Sequence, residues 1–232
     1  MTPIASMKIL LRVAALAAIA LVVVFWVRFN SAQNTSFAFD YPRWETLAKS
    51  HPQGERIMTS IRNYETTIND EDPANDSEAY LGIGFELRQL GEEKSAIKAH
   101  IVGLALNDHN MRGWANLAVL YKETGKYKEA EEAYKKVIAL NPGDVTTYRD
   151  LSDLYLYYLT KKEGEIPAVI AQGLASVPEH PDLLVYLAVY YRDKGNVEKA
   201  IEYFERRAKV APLDPDIAKG IAEELNKLYS QR

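Results

Sequence analysis

The sequence predicts an all-α protein in which helix-turn-helix units stack into a solenoid behind one N-terminal transmembrane helix. Three features of the 232 residues support this prediction. An uninterrupted apolar run covers Val13 to Val27, and a pattern of large and small residues recurs about every 34 positions. Glycine or proline then falls where several of the repeated helices would end. With one span, the length leaves room for a further domain of about 190 residues.

Residues 9–28 form the predicted transmembrane anchor, preceded by a tail of residues 1–8. The run from Val13 to Val27 would rise only about 22 Å as a helix, against a bilayer core of about 30 Å. Adding Ile9 to Leu11 extends it to about 28 Å, because Arg12 near the helix end can reach the headgroups. The segment is therefore long enough to span a bilayer.

The alternative to an anchor is a signal peptide, in which cleavage of residues 1–32 releases an exported soluble protein. Residues 25–29 are bulky and charged where a peptidase needs small side chains, so retention is favoured. Lys8 and Arg12 precede the span, which predicts a cytoplasmic N-terminus and an extracytoplasmic C-terminal domain in the cell membrane. Residues 29–40 lack periodicity and are interpreted as a tether.

The repeat pattern is clearest in residues 111–144. Its apolar and small positions are Trp114, Leu117, Ala118, Tyr121, Ala130, Tyr134 and Pro142. The same columns recur in a series that starts at Tyr80, 34 residues before Trp114, and in one that starts at Tyr148, 34 residues after it. After two extra residues, a further series starts at Leu184. This pattern resembles the tetratricopeptide repeat, which implies helix pairs stacked as a right-handed superhelix. The units are 77–110, 111–144, 145–180 with the insertion near Thr160 to Glu165, and 181–214.

The flanks of the array follow the same pattern less closely. Residues 41–76 are interpreted as a degenerate helix pair of the same kind, with an unrelated helical pair as the alternative. Residues 215–232 are predicted to form a capping helix, because Asp214 can cap a helix that has Pro215 at its first position. Gly91, Gly125 and Gly195 are expected in the left-handed conformation after the first helix of a unit.

No group of residues indicates catalysis, and no metal or cofactor site is predicted. The histidines are scattered, and His100 occupies a packing column. Gly82 and Gly84 do not form a dinucleotide loop, since Leu87 replaces the third glycine and the stretch is helical. Glu131 with Lys135 is interpreted as a solvent-exposed helix pair. The net charge of −4, from 32 acidic and 28 basic residues, argues against nucleic-acid binding.

The resemblance implies that the first helices of the units line a concave groove that binds a peptide or a partner helix. Apolar, aromatic and arginine side chains are expected to face it, as is common in binding sites. They are Leu81, Phe85, Arg88, Arg112, Asn116, Val119, Arg149, Asp153, Leu156, Tyr157, Val185, Tyr186, Val189 and Arg192. Family members that bind the acidic tails of chaperones carry a clamp of lysine, arginine and asparagine, and only Asn116 matches that clamp here.

The resulting hypothesis is a non-enzymatic, membrane-anchored adaptor or scaffold that binds an unidentified protein or peptide and contacts the lipid bilayer through residues 9–28. Anchored proteins of this kind serve envelope assembly, secretion or protein maturation. The alternative is a spacer that self-associates through an exposed edge. The sequence leaves the partner, the pathway and the oligomeric state open.

Overall fold

A computed structural model describes residues 37–68, 72–210 and 214–232. The predicted tail (1–8), the predicted anchor (9–28) and residues 29–36 of the predicted tether lie outside these described residues. Within the described ranges all regular structure is helical, as predicted, and no strand occurs. None of the helices in these ranges is long and apolar enough to cross a membrane.

Eleven α-helices and one 3₁₀ helix follow one another through the described ranges. They are α1 (Tyr41–Ala48), α2 (Gly54–Thr67), α3 (Pro73–Gln89), α4 (Glu93–Leu106), α5 (Met111–Glu123), α6 (Tyr127–Leu140), α7 (Val145–Tyr157), the 3₁₀ helix (Thr160–Glu165), α8 (Ile166–Ser176), α9 (Pro181–Asp193), α10 (Val197–Ala208) and α11 (Pro215–Tyr229). Each predicted unit thus contains two α-helices, and the 3₁₀ helix occupies the place expected for the insertion. The contacts separate the chain into two compact units, one ending at Asp108 and the other starting at His109.

The first compact unit packs α1 on α2, α2 on α3 and α3 on α4. Two of these contacts depend on glycines, which have no β-carbon. A β-carbon on Gly82 would lie 2.4 Å from the Tyr64 ring, and one on Gly84 would lie 2.9 Å from His100 Cδ2, both too close for a van der Waals contact. The glycine pair is therefore explained by helix packing. His100 is completely buried and neither ring nitrogen has a hydrogen-bond partner. Burial, and secondarily the positive charge of Arg88, lowers its pKa to about 4.

An aromatic cluster closes the N-terminal end of the first compact unit. Phe37 lies 6.0 Å from the Trp44 ring and 5.9 Å from the Tyr80 ring, between centroids. Phe39 stacks on Tyr41 at 5.8 Å, and Trp44 is completely buried. The last residues of the predicted tether are therefore packed against the helices, which the missing periodicity of FNSAQNTSFAFD did not indicate.

The second compact unit pairs α5 with α6, α7 with α8 and α9 with α10, and α11 packs on α10. Its larger core includes Tyr134, Tyr148 and Tyr155, all buried, as expected from their repeat columns. A smaller core around Phe204 is closed by Ile221 and Leu228 of α11. The capping helix thus covers apolar surface that the last repeat would otherwise expose.

The turns inside three units contain the expected left-handed glycines. Gly91, Gly125 and Gly195 have φ angles of 77°, 75° and 72°. At each turn the glycine N–H donates to the carbonyl three residues back, and the next N–H donates to the carbonyl five residues back. These are the two bonds of the Schellman motif, which supplies hydrogen-bond donors to carbonyl groups that have none within the helix. The cap of the last helix is also as predicted, since Asp214 accepts from the N–H groups of Asp216 and Ile217.

Ion pairs connect the insertion of the third repeat, the 3₁₀ helix, to a helix of the preceding repeat and to a residue of the following repeat. Glu131 of α6 is 3% exposed and accepts hydrogen bonds from Lys135 Nζ at 2.7 Å, from Tyr155 Oη at 2.8 Å and from Lys162 of the 3₁₀ helix. On the other side Glu163 pairs with Lys194. Burial alone would raise the pKa of Glu131, but its three donors outweigh that effect and lower the pKa to about 2. The predicted pair of Glu131 with Lys135 is therefore confirmed, but its predicted solvent exposure was wrong for Glu131.

Candidate functional site

The first helices of the third and fourth repeats, α7 and α9, form the main walls of an open cavity of about 470 Å³. Seven of the predicted groove residues line it: Arg149, Asp153, Leu156, Tyr157, Val185, Tyr186 and Val189. Asp182, Tyr190, Arg207 and Ile217 complete the lining. We call this cavity the α7–α9 groove.

Polar pairs connect the two helices across the α7–α9 groove. Arg149 Nη1 lies 3.3 Å from Asp182 Oδ2, and Tyr186 Oη donates to Asp153 Oδ1 at 2.7 Å. Burial raises the pKa of Tyr186, and its hydrogen bond to Asp153 raises it further. The hydroxyl therefore stays protonated at physiological pH and keeps donating to the carboxylate. These bonds hold the walls in place before any partner arrives.

Apolar and aromatic side chains occupy the rest of the α7–α9 groove. Leu156, Val185 and Val189 are half-buried, whereas Tyr157 is 67% exposed. Ile217 of α11 is 48% exposed and adds a second open apolar side chain. Exposed apolar surface at the lining of a cleft is typical of binding sites.

The other predicted groove residues are not in this cavity. In the first compact unit Phe85 is exposed on α3 and Arg88 is half-buried, whereas Leu81 is only 4% exposed. A β-carbon on Gly103 would lie 2.9 Å from Leu81 Cγ, so Leu81 packs inside the α3–α4 pair. The placement of Leu81 on an open groove face was therefore wrong, because Gly103 lets α4 approach that side of α3.

In the second compact unit four predicted groove residues lie elsewhere. Arg112 is exposed on α5, and Asn116 and Val119 are half-buried there. Arg192 pairs with Asp193 at 2.9 Å and with Glu224 of the capping helix at 3.1 Å. Arg192 is therefore engaged in attaching α11 to the last repeat.

A second cavity, of about 610 Å³, lies on α5 and α6 and is lined by Trp114, Tyr121, Lys128, Glu129, Glu132, Ala133, Lys135, Lys136 and Ala139. Its lining contains both basic and acidic side chains, and Lys135 already pairs with Glu131 and Glu132. No group of histidine and acidic side chains in the described ranges could hold a metal ion. The predicted groove residues do not contribute to this second cavity.

The sequence missed Asp182 because contacts between α7 and α9 are displaced by one helical turn. Arg149 corresponds to Val185 in the next repeat, but its partner is Asp182, three residues earlier. Asp153 corresponds to Val189, and its partner is Tyr186. Column counting identifies equivalent residues and does not include this offset. Ile217 was detectable as an apolar residue near the start of α11.

Two stretches of the chain match models of the tetratricopeptide repeat, residues 112–144 and residues 167–215. A repeat-containing protein of Methanocaldococcus jannaschii is 29% identical over 161 residues, covering 66% of this chain and 28% of that protein. The cytochrome c-type biogenesis protein CycH of Rhizobium meliloti is 28% identical over 114 residues, covering 48% of this chain and 29% of CycH. The chain thus spans less than a third of the length of these curated relatives.

Solved structures show the same kind of helical array. The crystal structure of MamA has a TM-score of 0.52 at 20% identity and covers 72% of this chain and 89% of MamA. PilF of Pseudomonas aeruginosa has a TM-score of 0.53 at 16% identity and covers 82% of this chain and 92% of PilF. At these identities the likeness concerns the fold. The chain therefore contains tetratricopeptide repeats, and all regular structure of its described residues is helical.

Proposed function

We propose that this chain is a non-enzymatic adaptor that binds a segment of a partner protein in the α7–α9 groove. The observation that carries the proposal is the combination of exposed apolar side chains with walls whose polar pairs are already made. The exposed apolar surface of Tyr157 and Ile217 becomes buried only when a partner covers it, which gains part of the about 1.5–3 kcal/mol that burying a fully exposed apolar side chain contributes. Arg149 and Asp153 already have partners within the walls.

Binding is favoured over catalysis by the state of the titratable groups in this groove. The Asp153 carboxylate accepts from Tyr186, and burial and that bond keep the tyrosine protonated. Neither group is arranged as a base next to a nucleophile. His100, a residue type suited to acid–base chemistry, is buried between α3 and α4 and has a lowered pKa.

The proposal includes a single-pass anchor at residues 9–28 in the cell membrane, a cytoplasmic N-terminus and an extracytoplasmic helical domain with right-handed superhelical stacking. The apolar run and the preceding Lys8 and Arg12 support it. The packing of Phe37 and Phe39 on the first helices leaves eight residues, 29–36, between the anchor and the packed chain. At full extension these eight residues would place Phe37, the first packed residue, within about 30 Å of the bilayer surface.

The process proposed for the adaptor is the assembly, secretion or maturation of proteins of the cell envelope. CycH, a protein of cytochrome c-type biogenesis by its name, shares part of the repeat region, which favours maturation among these processes. Cleavage of residues 1–32 to give a soluble exported protein is the alternative for the N-terminus, and a self-associating spacer is the alternative function.

Photo-crosslinking from two adjacent tyrosines tests the binding proposal. Tyr157 lines the α7–α9 groove, whereas Tyr158, 47% exposed, stacks on Tyr127 at 4.6 Å outside it. A photoreactive phenylalanine at position 157 should yield an adduct with one defined protein in the native cell, and the same residue at position 158 should not. Adducts between copies of this chain would instead support the spacer, and equal adducts from both positions would contradict the groove.

A further inference from the structure

The charged residues buried in the described part of the chain differ in how they are paired. The three buried acids each have a basic partner: Glu86 pairs with Arg56 at 3.0 Å, Glu92 with Arg43 at 2.7 Å, and Glu131 with two lysines. The buried base is Arg207, which is 6% exposed. Its hydrogen bond goes from Nη1 to the carbonyl oxygen of Val210 at 3.2 Å, and no carboxylate of the described ranges pairs with it.

This pairing leaves Arg207 with unused binding capacity. A guanidinium has five N–H donors, and a neutral carbonyl satisfies one of them without balancing the charge. The position of Arg207 in the last turn of α10 gives some compensation through the helix dipole. An ion pair, however, is what a desolvated charge normally needs. The adjacent Arg206 illustrates the contrast, because it pairs with Glu179 at 2.6 Å.

Arg207 belongs to the lining of the α7–α9 groove, next to the open apolar side chains. The groove contains three other charges, and two of them cancel, because Arg149 pairs with Asp182. The third is Asp153, whose carboxylate accepts from Tyr186. A ligand that enters the groove therefore meets one guanidinium without a counter-ion, beside an apolar surface.

We propose that the α7–α9 groove contains an anion subsite at Arg207, which pairs with a carboxylate of the bound protein segment. Apolar side chains of the same segment then lie against Tyr157, Val189 and Ile217. This inference rests on the proposed binding function and specifies its ligand as an apolar peptide segment with one acidic group at a fixed position. It does not use the chaperone-tail clamp, since Arg207 belongs to the second helix of the last repeat.

A carboxylate suits this site better than a phosphate. Because Arg149 and Asp182 pair with each other, the charges left in the groove are the Arg207 guanidinium and the Asp153 carboxylate. A phosphate group carries up to two negative charges and would be repelled by Asp153 more strongly than a carboxylate, which matches the guanidinium one to one.

The test uses the full chain in mild detergent and a random peptide library displayed on phage. Peptides are selected on the wild type, on Arg207→Met and on Arg206→Met, the matched control whose arginine lies outside the groove lining. A selected peptide is then synthesised with its acid and with the corresponding amide. Fluorescence anisotropy gives the affinity of both forms for all three proteins, and circular dichroism checks that each variant is folded.

The expected result is a fixed acidic position among peptides selected on the wild type and on Arg206→Met. Replacing the acid by its amide should weaken binding at least about tenfold on those two proteins and leave it unchanged on Arg207→Met. The comparison of acid and amide on the wild type holds even if Arg207→Met does not fold. Selected peptides without a fixed acid, or an equal loss on Arg207→Met, would overturn the anion subsite and leave groove binding intact. Binding that Tyr157→Ala leaves unchanged would overturn the groove proposal itself.

Discussion

The pH dependence of stability should carry a specific contribution from His100. The folded-state pKa of His100 is about 4 and its ordinary value is 6.5, so the unfolded chain takes up this proton first as pH falls. The stabilisation is therefore fully present above pH 6.5, is lost progressively between 6.5 and about 4, and changes no further below that. The difference between the two values corresponds to a loss of about 3 kcal/mol, a large part of a typical domain stability of about 5–15 kcal/mol.

The matched control for His100 is His100→Phe, because Phe204 occupies the same column in the last repeat. Urea unfolding at several pH values measures the free energy, and hydrogen exchange of the α3 and α4 amides locates the change. The wild type should lose about 3 kcal/mol more than the variant between pH 6.5 and 4. Equal losses in both proteins would refute the reasoning. The histidine would then be as easily charged in the folded chain as in the unfolded one.

Three further predictions concern a turn, a buried carboxylate and the packing of the aromatic cluster. Gly125→Ala should cost about 1–2 kcal/mol in urea unfolding because of its left-handed φ, whereas Gly164→Ala, with neither a positive φ nor a neighbour within 4 Å, should cost under about 0.5 kcal/mol. Equal costs would contradict this explanation of the turn. Glu131→Gln should reduce the loss of stability that the wild type shows between pH 4.5 and about 2, because the Glu131 carboxylate contributes to that loss, and an unchanged acid titration would exclude this contribution. Trp44→Ala should cost about 3–5 kcal/mol, and a cost below about 1 kcal/mol would contradict the buried aromatic cluster.

Repeat spacing predicted the helix pairs because their packing depends on local geometry. Gly91, Gly125 and Gly195 adopt the expected conformation, since a helix that ends in a Schellman motif places the residue after its cap in the left-handed region. The buried Tyr134 and Tyr155 follow from the same columns. These features depend on residues a few positions apart, which a sequence shows directly.

Features that depend on distant residues were not predictable in this way. Glu131 forms the predicted helical pair with Lys135, but it is also buried against Tyr155 and against Lys162 in an insertion 31 residues away, which the spacing did not indicate. The repeat pattern predicted that Leu81 faces an open groove, but the missing side chain of Gly103 lets α4 pack against it. In both cases the approach of a second helix, rather than the residue's own helical face, decides its exposure.

The geometry of the α7–α9 groove follows from the one-turn offset between successive first helices. The offset brings Arg149 to Asp182 and Asp153 to Tyr186, so the polar residues of the two walls satisfy one another. What remains for a partner is the apolar surface around Tyr157 and Ile217 and the guanidinium of Arg207. Because the wall pairs exist before binding, a partner segment meets preformed walls and loses less affinity to ordering them. Tyr186→Phe should therefore weaken peptide binding by loosening the Asp153 side of the groove, although Tyr186 provides no unpaired polar group to the ligand.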